Sequence, residues 1–401
     1  MRSNDILDEG TAYGRRPGTT NRDLTDTAAG TKMGDLLRRY WHPVGLAAGA
    51  TTTPRKVRAL GEDLVLFRDR KGRPGLLYPR CAHRGTTLYY GKVEESGIRC
   101  CYHGWLFDVE GHCLEQPCEP EGGKHRDKVR QPWYPVEERY GLLFAYLGPP
   151  EKKPVLPRWD VLETLEADEF LAADDHIQSG PKVIPCSWTH HYDNVPDHYH
   201  VPILHGSNSG IQFVEMMARM PQISWEYTGM GVNTRSRRKL EDGKTMLRIT
   251  EGVLPTVRLI PDPGVSRYGK SESVSWLLPV DDTHHMLYAV LKKKPGWKRA
   301  FTRPGGKSWD EMTEAEHQQF PDDFEAQTGQ GPITLHSEEH LGTTDQGLVM
   351  LRRLLLQQAE TVAEGKDPVG VSFAKDVAPL ATHAGNFLIE DTEPESTIKR
   401  I

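Results

Sequence analysis

Two short stretches carry residues able to hold iron. Cys81-Ala82-His83 and, after sixteen intervening residues, Cys100-Cys101-Tyr102-His103 each offer a thiol and an imidazole close together. Structural zinc sites usually combine Cys-x2-4-Cys with His-x3-5-His, so two mixed pairs point away from zinc. They suit a [2Fe-2S] centre in which two cysteines hold one iron and two histidines the other. That arrangement raises the reduction potential above that of an all-cysteine ferredoxin and serves electron transfer. Gly85 and Gly104 follow the two pairs, where the backbone must pass close to a cluster. Cys100 is the ligand if the second pair reads Cys-x2-His, which leaves Cys101 as a packed thiol.

A second set lies in Asn194-Val195-Pro196-Asp197-His198-Tyr199-His200-Val201-Pro202-Ile203-Leu204-His205. Two neutral imidazoles and one carboxylate on one face leave positions open for dioxygen at a non-heme Fe(II). His200 and His205 are the candidate pair, with Asp197 about one turn before His200. On an ideal helix of about 3.6 residues per turn, positions five apart diverge by about 140°. The helix must therefore end or bend between them, and Pro202 sits where such a bend is expected. His190, His191 and His198 lie nearby, and most histidines hold no metal, so the pair draws its force from the electron-transfer motif upstream. A dinucleotide site is missing: Gly229-Met230-Gly231-Val232-Asn233-Thr234 has two glycines but no third, and it reads as strand. Electrons must come from a separate reductase.

The elements that position these groups come from 401 residues, too many for a cluster-binding module alone, so a second domain is expected. A net charge of -6 argues against a general nucleic-acid binder, and no apolar run is long enough to span a bilayer. Met1-Arg2-Ser3-Asn4-Asp5 lacks the apolar core of a signal peptide and the six cysteines suit a reducing compartment, so the cytoplasm is expected. Cys113, Cys118 and Cys186 read as unpaired thiols. Residues 1–40 read as a polar arm, over 1–31, followed by a short amphipathic helix at Met33–Trp41. Residues 41–150 show short alternating segments, such as Leu64–Phe67 and Leu142–Leu147, with turns like Lys71-Gly72, and predict a small antiparallel β domain. Gly148–Pro154 marks its end. Residues 151–401 mix helices with hairpins, one around Glu241-Asp242-Gly243-Lys244 and one in which Val274, Trp276 and Leu278 lead to a turn at Asp281-Asp282. The class is α+β. The basic cluster Arg235, Arg237, Arg238 and Lys239 could hold an anionic substrate, but on a hairpin it reads first as a solvated strand face.

Residues 81–85 and 100–105 resemble the Cys-x-His-Arg-Gly and Cys-x-Tyr-His-Gly-Trp loops of the Rieske non-heme iron aromatic ring-hydroxylating oxygenases, in their terminal oxygenase (alpha) component. Respiratory Rieske proteins carry an extra cysteine in each loop to close a disulfide, and Arg84, Gly85 and Thr86 offer none in the first. The family's Asp-x2-His-x4-His matches Asp197, His200 and His205. The resemblance runs from Met33 to about Gly370 and is to the branch holding phthalate dioxygenase, phenoxybenzoate dioxygenase and dehydrodivanillate O-demethylase. It implies an antiparallel β Rieske domain joined to a helix-grip catalytic domain. It implies a [2Fe-2S] cluster on Cys81, His83, Cys100 and His103, and a mononuclear Fe(II) on His200 and His205. Asp197 would bridge His200 to His103 of the partner subunit, and Asn194 would line the iron pocket.

The third ligand implied by the resemblance is Asp345, because Leu341-Gly342-Thr343-Thr344-Asp345-Gln346-Gly347 is similar to a Leu-Gly-x-Ser/Thr-Asp-x-Gly stretch of that branch; Glu338 and Glu339 are weaker alternatives. Read from the residues alone, Asp345 serves the dipole of a helix capped by Thr344, with Leu348, Leu351 or Arg352, and Leu355 facing inward. The implied activity is that of a dioxygenase or O-demethylating monooxygenase. It would take O2 and electrons from a separate NAD(P)H-dependent reductase, of the flavin- and ferredoxin-containing kind, to an aromatic compound, carboxylated or methoxylated. The implied assembly is a trimer or a hexamer of two stacked trimers. The rival readings are a non-aromatic substrate, such as a sterol or quaternary amine, and a bare electron-transfer protein.

Overall fold

The structure is a computed structural model that describes residue 12 and residues 14–176, 180–296 and 306–390. The reading of Met1–Asp5, and of the arm up to residue 11 and at 13, lies outside the described residues, as does that of 391–401 in the second domain. The described part of the arm is anchored, Gly18 N–H donating to Glu338 Oε1 at 2.6 Å and Thr19 N–H to Ser337 Oγ at 2.8 Å, and then makes one helical turn, Arg22–Thr25, that buries Leu24 and Thr25. Thr31 then caps a helix, Lys32–Leu37, by accepting from Gly34 N–H, and the helix buries Met33, Leu36 and Leu37. It stops sooner than the amphipathic pattern suggested, because Trp41 opens a strand.

Three small antiparallel sheets follow. Trp41–Leu46 pairs with Leu142–Tyr146, which pairs with Val136–Arg139. Arg55–Ala59, Glu62–Arg68, Pro74–Leu77 and Trp133–Tyr134 form a second sheet. Lys92–Glu94, Gly97–Arg99, Leu106–Phe107 and Cys113–Glu115 form a third. A compact apolar cluster of Val65, Phe67, Leu77, Leu88, Ile98 and Phe107 also includes Cys81 and Cys100. Leu142–Tyr146 is buried on both faces, as its unbroken apolar run requires. It joins the larger core: Phe144 meets Trp276 edge-on, ring centroids 5.4 Å apart.

Beyond residue 150 a nine-stranded sheet dominates. Its central order is Phe170–Asp174, His284–Lys293, Ser273–Asp281, Val257–Leu259, Thr245–Val253, Gly231–Lys239 and Gln222–Tyr227. Both expected hairpins form, and Gly243, at φ +83°, supplies the left-handed turn position between Gly231–Lys239 and Thr245–Val253. Directly opposed residues share a face. The pairs Ser236↔Arg248, Thr234↔Thr250, Gly252↔Arg258, Arg258↔Ser275 and Ser275↔Ala289 therefore put Arg238, Arg248, Thr250, Arg258, Ser275 and Ala289 on one side.

Helices cover that side. Gln346–Ala363 turns a four-residue stripe of Gly347, Leu351, Leu355 and Ala359 inward. Gly347 is needed there, since a Cβ would fall 2.2 Å from the Trp225 ring. Asp345, rather than Thr344, takes the N-cap position, because a short 3-10 turn over Thr343–Asp345 leads into the helix. Arg352 donates to both Asp193 and Glu339 and so ties this helix to Trp188–Asp193. The basic cluster departs from its reading: Arg238 is buried, since its strand face looks into the protein, while Arg235 and Arg237 are half-buried and Lys239 is exposed.

Candidate active site

The two cluster loops are built alike. In the first, Cys81 N–H donates to Thr86 O and Gly85 N–H to Cys81 O; in the second, Cys100 N–H donates to Trp105 O and Gly104 N–H to Cys100 O. Each loop closes with its glycine four residues after the cysteine, at φ +79° for Gly85 and +75° for Gly104, a conformation that disfavours any other residue. This twofold likeness brings the histidines together, ring centroids 4.6 Å apart, and His83 stacks on Trp105 at 4.4 Å. Cys81 and Cys100 are buried side by side: burial pushes the Cys81 thiol up to about 11, and the neighbouring Cys100 thiol adds to the rise. Two buried thiols beside two half-buried imidazoles fit a mixed-ligand [2Fe-2S] cluster, which deprotonates its cysteines on binding. Cys101 is exposed rather than packed, since the loop turns it outward. Cys113, Cys118 and Cys186 are unpaired.

The second site starts from a change of helix type. His200–Ile203 is α-helical, and Leu204–Asn208 continues it as a π-helix, with Ser209 N–H donating to Leu204 O. Widening to i→i+5 bonding brings residues five apart towards one face. The bend expected at Pro202 is thus made just after it, and Pro202 itself stays inside the α turn. The His200 and His205 ring centroids are 5.5 Å apart. His200 Nδ1 lies 3.3 Å from Asp197 Oδ2, and His205 Nδ1 lies 2.6 Å from Gln212 Oε1. Gln212 thus fixes the His205 Nδ1, Asp197 stands beside the His200 Nδ1 without a hydrogen bond to it, and both Nε2 atoms turn elsewhere.

Both Nε2 atoms face one carboxylate that the sequence reading did not consider. Asp323 Oδ1 is 3.6 Å from His200 Nε2 and 3.4 Å from His205 Nε2. Metal–ligand bonds of about 2.1 Å meeting near right angles separate donors by about 3 Å, so these spacings suit one ion. Asp323 opens the helix Asp323–Thr328, which Asp322 and Glu325 hold with a capping box. Burial raises the Asp323 carboxyl, but His205 and then His200 overcome that and hold it well below the usual carboxylate range. His205 is lowered by burial yet carried up to about 9, chiefly by Asp323. The carboxylate and the ring thus favour each other's charged form, and a metal binding here would displace the His205 proton.

Asp345 does not join them, which corrects the third-ligand expectation. Its Oδ2 accepts the Gly342 N–H at 2.7 Å, as a carboxylate at a helix start does. Glu339 is taken up by Arg352 and Glu338 by the arm. Asn194 does reach the site: its Nδ2 lies 3.1 Å from Asp323 Oδ1 and 3.3 Å from His200 Nε2. His190, His191 and His198 are buried and bonded to other partners. The missed residue had a local signal, Asp322-x-x-Glu325 after Pro321, but nothing in that signal links it to His205.

Above the three donors lies a cavity of about 220 Å³. Phe213, Met217 and Ile260 give it apolar lining, and Arg248, Thr250, Arg258, Ser275, Ala289 and Leu291 form its wall from the sheet face described above. A cluster-binding β domain and a sheet gripped by helices over a two-histidine, one-carboxylate site define an oxygenase that carries its own electron-entry centre.

Residues 41–135 match the Rieske [2Fe-2S] domain. The phenoxybenzoate dioxygenase subunit alpha of Ectopseudomonas oleovorans is 50% identical over 98% of this chain and 97% of its own length. The tert-butanol monooxygenase / tert-amyl alcohol desaturase oxygenase subunit of Aquincola tertiaricarbonis is 35% identical over 90% of this chain and 83% of its own. Among solved structures, NdmA of Pseudomonas putida CBB5 with caffeine shares the fold at TM-score 0.60 and 19% identity, over 86% of this chain and 99% of that one. The chain belongs to the Rieske non-heme iron oxygenases, as a terminal oxygenase alpha subunit of the phthalate dioxygenase-like branch. Its Rieske domain carries a [2Fe-2S] cluster as cofactor. Among the described residues no helix is long and apolar enough to cross a membrane.

Proposed function

We propose that Cys81, His83, Cys100 and His103 hold the cluster, that His200, His205 and Asp323 hold the iron, and that the protein oxidises an aromatic acid or its methyl ether. The observation that carries this is the meeting of His200, His205 and Asp323 beneath an apolar-lined cavity. Bound there, ferrous iron supplies O2 activation with electrons that reach it one at a time from the cluster. The chain's residues do the rest. Asp197 accepts from the Tyr199 and His200 backbone N–H groups, at 2.9 and 3.2 Å, and so holds its carboxylate beside His200 Nδ1. Its side chain remains 39% exposed, which leaves it free to reach a second histidine across a subunit contact. We assign it as the bridge to His103 of the partner subunit in a trimeric ring, alone or stacked as a hexamer. Asn194 orients Asp323, and Phe213 and Met217 exclude water from the reacting face.

Electrons come from a separate NAD(P)H-dependent reductase, and the cytoplasm is the proposed compartment. The similarity to a phenoxybenzoate dioxygenase subunit favours aromatic acids, while the tert-butanol relative keeps a small aliphatic alcohol as the second reading. Iron and acid-labile sulfide are to be counted in protein purified anaerobically, supplied with Fe(II) and desalted. The expected result is about three irons and two sulfides per chain. Two of each would reduce the protein to an electron carrier. Oxygen uptake with benzoates, phthalates, methoxybenzoates, phenoxybenzoates and tert-butanol then separates the substrate readings, and released formaldehyde identifies demethylation.

A further inference from the structure

Three arginines lie buried on the cavity side of the sheet, and they are not equivalent. Arg238 donates to Arg219 O and Ser236 Oγ, and Arg248 to Pro261 O, Asp262 O and Asn386 Oδ1. The side chain of Arg258, a residue only 7% exposed, makes one hydrogen bond among the described residues, from its Nη1 to His191 Nε2, and its Nε is buried without a partner. No carboxylate forms an ion pair with it among the described residues. The one acid that bears on it is Asp323, which is committed to the two histidines. Leaving a charge and its donors uncompensated at 93% burial is costly unless something else arrives to meet them.

The histidine behind Arg258 is set by a chain whose direction is forced from both ends. A guanidinium can only donate, so His191 Nε2 accepts. His191 Nδ1 therefore carries the proton and donates to His285 Nε2, 3.0 Å away, and His285 Nδ1–H donates to Cys186 O at 2.9 Å. A backbone carbonyl can only accept, which closes the sequence. Both histidines are thus single-proton, neutral rings, and they orient Arg258 without offsetting its charge. A carboxylate in place of His191 would have orientated it equally well and silenced it.

We infer that Arg258 is the anchor for the carboxylate of an aromatic acid substrate, oriented by His191 and His285, with the ring thereby placed over His200, His205 and Asp323. This rests on the oxygenase reading above. Arg258 is the residue that discriminates acid from neutral analogue, and His191 is a positioning residue.

The test is calorimetric binding to the iron-loaded protein without O2, using benzoate, phthalate, a methoxybenzoate and a phenoxybenzoate, each against its primary amide. At least one acid should bind about 10- to 100-fold tighter than its amide, as hydrogen bonds to a charged group allow. Arg258→Met should remove that preference and leave amide affinity within about twofold, while the ligand-free Tm holds or rises because a buried unpaired charge has gone. Arg258→Lys keeps the charge without the fork and should retain part of the preference. His191→Leu should reduce the acid-to-amide ratio, and His191→Gln, whose Oε1 can accept from Arg258, should restore much of it. An unchanged ratio in folded Arg258→Met overturns the anchor. Amides that bind and draw oxygen as well as acids in the natural protein overturn the anchor and leave the oxygenase standing. If no acid or amide binds or draws oxygen, the aromatic reading falls and the anchor falls with it.

Discussion

In the cluster loops each cysteine is held by bonds that close within five residues: Cys81 with Gly85 and Thr86, Cys100 with Gly104 and Trp105. In the iron pocket the nearest support for His205 is Gln212, and the third donor arrives from a separate helix at Asp323. The same kinds of side chain are thus organised by local turn chemistry in one region and by tertiary packing in the other. A site made of turns tolerates change elsewhere, whereas a site made of packed helices depends on contacts such as Arg352 with Asp193, which sits next to Asn194. The cluster should therefore survive substitutions that empty the iron site, and not the reverse in mechanism: losing the cluster removes the electrons the iron site uses.

The largest effect is expected at Cys100. Cys100→Ser should abolish the visible spectrum and all turnover, while Cys101→Ser, one residue away but exposed, should change neither by more than about twofold. Spectra and sulfide content read this directly, and cluster loss in Cys101→Ser would reverse the ligand assignment. Next is Asp323→Ala, which should drop iron from about three to about two per chain and turnover to background, with the cluster spectrum intact. Iron retained at about three in that variant would break the contrast between the regions. Asp197→Asn should leave both metals bound and slow cluster-to-iron transfer by about 10- to 100-fold in single-turnover kinetics, the usual scale for a partner of a ligating histidine. Gln212→Leu should act at the low end of that range, about tenfold in iron affinity, since Asp322 Oδ1 still lies 3.5 Å from His205 Nδ1.

This contrast also explains what could be read from residues alone. The two loops were legible because spacing, glycine position and ligand type all sit within a few residues. His200 and His205 were legible as a pair, but the device that aligns them was not: a π-helical turn has no strong residue signature, and Pro202 attracted the bend because proline does. The hairpins at Gly243 and Asp281 followed from alternation and turn residues. Arg238 was misread because a strand shows its alternation but not which face is covered, and the covering helices come from distant sequence. Arg258 gave no signal, since its meaning depends on strand register and on a histidine from another element.

Asp345 gives the smallest and most pointed comparison. Its place before a helix made two roles available, ligand or N-terminal carboxylate, and the sequence context favoured the first through likeness to a branch motif. The geometry gives it the second, with Gly342 N–H as its partner and Asp323 filling the place beside the histidines. Asp345→Ala should then cost only about 0.5–1 kcal/mol of stability, the worth of a helix-start carboxylate, and leave iron at about three per chain. Loss of one iron in Asp345→Ala together with retention in Asp323→Ala would exchange the two assignments. The opposite pattern would fix the third ligand on the short capped helix Asp323–Thr328, whose position depends on packing rather than on any motif around the histidines.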